Sequence, residues 1–87
     1  GVLRILTGAQ AGHELTLAKN ITTLGKPGLQ VASISRRPQG YYLSHIEGAQ
    51  RPRVNDIEIG AAPHKLKDGD RIEFLGASMR FSLPHGD

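Results

Sequence analysis

Side chains capable of covalent or metal chemistry are few and dispersed in this chain. The four histidines, His13, His45, His64 and His85, lie far apart and show no i, i+2 pairing that would offer two ligands from one strand. Ser44 and His45 combine the residue types of a nucleophile and its base. Neighbours on a strand point to opposite faces, however, so this pair cannot meet. Asp68 and Asp70 resemble a carboxylate pair, yet they flank Gly69 in a surface turn that lacks a pKa-shifting pocket. Gly25 and Gly28 lack the following helix that a nucleotide-phosphate loop requires. The expectation is a protein that is not an enzyme and needs neither metal nor cofactor. Recognition chemistry remains. Lys26, Arg51 and Arg53 fall in loop-like stretches, a basic patch suited to an acidic or phosphorylated partner.

Those residues sit in a chain of 87 amino acids with 11 Gly and 5 Pro, which argues for many turns and against long helices. A chain of this size reads as one domain, 1–87, near the lower size at which a core supports itself. It contains no Cys, which fits a reducing, cytoplasmic setting, and no apolar run approaches the roughly 20 residues that span a bilayer. The absence of an initiator Met suggests a fragment of something longer. The net charge of +3 is a mild basic excess, spread along the chain. Nucleic-acid binders concentrate such charge and interleave it with aromatics. Here Tyr41, Tyr42, Phe74 and Phe81 fall in strand-like segments and read as core or sheet-packing residues.

The clearest periodicity lies near the end. Asp68-Gly69-Asp70 is turn chemistry; Ile72 and Phe74 then alternate with Arg71 and Glu73, and Met79, Phe81 and Leu83 repeat the pattern after a Gly76-Ala77-Ser78 connection. Earlier strands are expected over 2–6, 13–17 and 21–24, followed by a loop at 25–28. Residues 29–37 and 41–46 form a hairpin about Pro38-Gln39-Gly40, and 47–52 is a polar loop. Asn55-Asp56 tolerates left-handed conformations and joins 53–54 to 57–59, after which 60–64 is again loop. Many short strands at close spacing predict an all-β sandwich.

The order of these pieces resembles the forkhead-associated (FHA) domain. Leu3-Arg4-Ile5-Leu6-Thr7-Gly8 with Gly12-His13-Glu14-Leu15-Thr16-Leu17 is similar to its first two strands. Ile21-Thr22-Thr23-Leu24-Gly25-Lys26 is similar to the strand ending in its Gly-Arg loop. Gly40-Tyr41-Tyr42-Leu43, Val54-Asn55-Asp56 and the segment from Leu66 to Phe74 follow in the family's order, with Gly76 and Phe81. The resemblance covers almost the whole chain. It implies an FHA-like β-sandwich of about ten or eleven short, mainly antiparallel strands. It also implies a signalling module of a larger, bacterial, cytoplasmic protein that docks a phosphothreonine-containing protein partner with loops at one end.

The phosphate-contact residues depart from that pattern. Lys26 replaces the family's Arg and loses its planar fork. Ser35-Arg36-Arg37 resembles the Ser-Arg element but stands directly before the turn at Pro38, leaving no residues for a further strand. The favoured alignment makes Val31 to Arg37 that strand itself and puts Leu29 and Gln30 near the missing Ser-Arg. Seven strand residues rise about 23 Å, so Arg36 would lie at the opposite end from Lys26. Gln50-Arg51-Pro52 occupies the stretch of the family's Asn-Gly-Thr loop. The expected partner-binding set is therefore Lys26, Gln30, Gln50, Arg51 and Arg53, with Ser35, Arg36 and Asn55 in second place. The expected mode is a degenerate phosphate pocket with phosphorylation-independent recognition. The alternative is a small basic β-domain binding nucleic acid or another polyanion through Arg36 and Arg37.

Overall fold

A computed structural model describes residues 1–83. They form ten strands and no helix: β1 (Val2–Ile5), β2 (Glu14–Thr16), β3 (Ile21–Lys26), β4 (Gln30–Arg37), β5 (Gly40–Glu47), β6 (Arg53–Val54), β7 (Ile57–Glu58), β8 (His64–Lys65), β9 (Arg71–Phe74) and β10 (Ala77–Ser82). They make two antiparallel sheets, a six-stranded one in the order β2-β1-β10-β9-β6-β7 and a four-stranded one in the order β3-β4-β5-β8. This is the two-layer, all-β architecture that the strand spacing predicts.

Alternation decides which side of each strand enters the core. Leu3, Ile72, Phe74, Met79 and Phe81 are buried from the larger sheet, and Ala32, Ile34 and Leu43 from the smaller, all in one cluster between the layers. Burial of each large side chain contributes roughly 1.5–3 kcal/mol by area. Tyr41 meets Phe81 edge-on, ring centroids 5.3 Å apart. Tyr42 takes the other face of β5, where the Arg37 guanidinium lies 5.2 Å from its ring centre. Of the four aromatics, Tyr42 alone is thus placed outside the core.

Several boundaries differ from the sequence expectation. β3 continues through Gly25 to Lys26, because a three-residue loop at 27–29 lets Lys26 pair with Gln30. The β9–β10 connection is Leu75-Gly76, with φ values of 52° and 72°, so Ala77 and Ser78 already belong to β10. This is a two-residue hairpin of the mirror-image type. β8 falls inside and just after the stretch expected as loop, held by the pairing of Tyr42 with Lys65 and of Leu43 with His64. The Asn55-Asp56 turn and the 38–39 turn lie where their residue types predict. His85 lies outside the described residues.

Candidate partner-binding site

One end of the two layers gathers the loops 27–29, 48–52 and 75–76. Gly25 brings the sheets together here. Its φ is +100°, and a Cβ on it would lie 2.0 Å from the Gln30 carbonyl oxygen and 2.7 Å from the Phe74 ring. Only glycine allows that approach. The adjacent Gln30 is 8 % exposed, and its Nε2 donates to the Gln50 carbonyl at 2.7 Å, pinning the 48–52 loop to the first residue of β4. The Glu47 carboxylate accepts the Gly28 backbone N–H at 2.5 Å and ties the 27–29 loop to the end of β5. Both loops are therefore held by side chains of the strands beneath them, and the 48–52 loop bears Gln50 and Arg51.

Gln30, Gln50, Arg51 and Arg53 line one hollow of about 340 Å³. Lys26 lines the neighbouring hollow, with Leu24, Gly25 and Met79, and the 74–77 segment is a wall of both. Four of the five residues of the expected set share one concavity, and the lysine stands beside it. Ser35 pairs with Ile21 and Tyr42, and Arg36 pairs with Tyr41, at the other end of β4. Arg36 is six positions along the strand from Gln30, about 20 Å away. Asn55 is also at that far end, its side chain engaged with Asp70 and the Arg71 backbone.

Glu58 and Glu73 complete the hollow, and the sequence reading did not include them. Their membership follows from register: Arg53 is opposite Glu58 on one side and Glu73 on the other. Two guanidinium groups therefore face two carboxylates in one concavity. A neutral surface carrying both donors and acceptors results, instead of the purely cationic one that Lys26, Arg51 and Arg53 imply. Alternation of charges along β9 hints at Glu73 facing solvent, but the β6–β9 register is not visible in the linear chain.

Ser44 pairs with Ser33 and His45 with Ala32, so the two candidate catalytic neighbours face opposite sides of the sheet. Among the described residues no three His, Asp or Glu side chains gather as a metal site would require. No described helix is long and apolar enough to cross a membrane. The fold and site define an all-β, two-sheet domain with a polar hollow at its loop end. No known family model matches the chain, and no curated protein matches it.

Proposed function

We propose that the chain is a protein-interaction module of the FHA type, a non-enzymatic cytoplasmic domain that engages a partner protein with its loop end. The hollow lined by Gln30, Gln50, Arg51 and Arg53 receives the partner, and Lys26 adds a flanking charge. Recognition at this hollow is independent of phosphothreonine. The observation that carries this is the offset of Arg51 and Arg53 by Glu58 and Glu73 in the same concavity. A phosphate close to two negative charges gains little from a site whose carboxylates repel it as strongly as its arginines attract. A peptide segment bearing both amide donors and acceptors fits better, each direct hydrogen bond contributing about 0.5–1.5 kcal/mol.

The test is a phosphothreonine peptide library and its unphosphorylated counterpart, screened at physiological salt. The expected result is no phosphate-dependent binding tighter than about 100 μM. A saturable complex that disappears with the unphosphorylated peptide and with Lys26→Ala would replace this reading with phosphate recognition at the loops. Tight binding to an oligonucleotide, lost on changing Arg36 and Arg37 and steeply weakened by salt, would replace it with polyanion binding.

A further inference from the structure

The outward face of the six-stranded sheet carries a row of three arginines on three adjacent strands. Arg4 on β1 is directly opposite Arg80 on β10, and Arg80 is directly opposite Arg71 on β9. Directly opposed residues of antiparallel strands share a face with Cβ atoms about 4.5–5.5 Å apart, and like charges so placed destabilise a sheet. The neighbours in sequence, Leu3, Ile72, Met79 and Phe81, are buried, so all three arginines face solvent.

Compensation is uneven. Arg71 is ion-paired with Asp56 and with Glu73, the latter at 3.6 Å. Among the described residues neither Arg4 nor Arg80 takes part in an ion pair. Both are exposed. Glu14 is opposite Arg4 in register on its other side but makes no ion pair with it. Arg80, with an arginine on each side, has no carboxylate directly opposite it.

We infer that Arg4 and Arg80 form a binding site for a compact oxyanion, the phosphate monoester of a phosphorylated side chain on a partner protein. Two forks about 5 Å apart at their bases can converge on one phosphate, each donating parallel N–H bonds to its oxygens. Glu14, opposite Arg4, and Asp56, ion-paired with Arg71, bound the row at its two ends, which limits it to a single group and opposes an extended polyanion such as nucleic acid. This site is on the sheet face, separate from the loop-end hollow, and does not rest on that reading.

The test follows arginine Nε–Hε resonances of the ¹⁵N-labelled chain during titration with a phosphothreonine peptide in a Gly/Ser context. The unphosphorylated twin and a twelve-nucleotide single strand are run alongside. The expected result is selective, saturable shifts of Arg4 and Arg80 with a Kd on the order of 1 mM, and no shifts with the twin. Arg80→Gln and, separately, Arg4→Gln weaken binding about tenfold or more, while Lys26→Ala and Arg51→Ala do not. Relief of like-charge opposition also leaves Tm of Arg80→Gln unchanged or raised by about 1–4 °C. The inference is overturned by equal shifts from the twin, by tighter binding of the oligonucleotide, by uniform shifts of all cationic side chains, or by a lowered Tm in both glutamine variants. Loss of binding with Lys26→Ala but not with Arg80→Gln would likewise overturn it, moving the phosphate to the loops.

Discussion

Asn55 and Asp70 join two turns at the end of the molecule remote from the hollow: the Asn55 side-chain amide donates to Asp70 Oδ1 at 2.9 Å. The Asn55 Oδ1 atom accepts the Arg71 backbone N–H at 3.0 Å, and Asp70 Oδ2 accepts that of Lys67 at 2.8 Å. Asn55 has a φ of 51°, a left-handed value that asparagine tolerates better than most residues. Asn55→Ala removes both amide bonds and adds backbone strain, and is expected to cost about 2–4 kcal/mol. Asn55→Gly keeps the conformation and loses only the bonds, so it should cost about 1–2 kcal/mol. Urea unfolding separates the two, and equal stability of Asn55→Gly and wild type would deny the bracket any role.

Leu75 presents the opposite case. Its φ of 52° places a leucine where a mirror-image hairpin turn favours Asn, Asp or Gly, and its side chain is 43 % exposed. Leu75→Asn is expected to raise stability by about 0.5–1 kcal/mol with an unchanged denaturant slope. A destabilised variant would mean that the leucine side chain contributes packing at the wall between the two hollows.

That turn also marks where the linear chain stops being informative. Asn55-Asp56 announces its hairpin through residue type, and the alternation of Ile72, Phe74, Met79 and Phe81 announces two strands of the core. Leu75 carries no turn signal, so Gly76, Ala77 and Ser78 look like the connection, and only the pairing of Ala77 with Phe74 restores β10. β8 is two residues long and exists through contacts with β5, a span too short for any period to appear. Gln30, Gln50, Arg51 and Arg53 meet because the 48–52 loop and the first residues of β4 and β6 lie at one end of the sheets. Glu58, Glu73 and the arginine row are not legible in the linear chain, because they are assembled by register between strands up to 76 residues apart in sequence, as for Arg4 and Arg80.

Acid sensitivity should concentrate at the Asp56 side chain. A hydrogen bond with the Glu73 carboxyl and the adjoining Arg71 guanidinium hold its carboxyl below the usual aspartate range, with a smaller contribution from Arg53. A depressed folded-state pKa means that the unfolded chain takes up the proton first. The stabilisation is therefore present above the unfolded aspartate value and is lost as pH falls through the folded one. Asp56 is fully exposed, so the effect is small and screened by salt. The expected observation is that Asp56→Asn shallows the fall in urea midpoint below about pH 4 and leaves the slope between pH 6 and 8 unchanged. An identical acid limb in the variant would show that the pairing with Arg71 persists only weakly in solution.

Gln30 connects the core to the proposed partner surface, and its removal should loosen one without collapsing the other. Its Nε2 bond to the Gln50 carbonyl is largely shielded from water, since Gln30 is only 8 % exposed. Gln30→Ala leaves that carbonyl without its side-chain donor and opens the floor of the hollow, at an expected cost of about 1–2 kcal/mol. Hydrogen exchange should accelerate in the 48–52 loop, while the Ile34 and Leu43 amides, paired deep in the smaller sheet, keep their relative protection. Gly25→Ala is the contrasting control: its methyl group would collide with the Gln30 backbone itself, and the penalty should reach about 3 kcal/mol or more with protection lost throughout. If Gln30→Ala instead lowered protection uniformly, the loop and the core would form one cooperative unit, and the hollow could not adapt to a partner independently of the sheets.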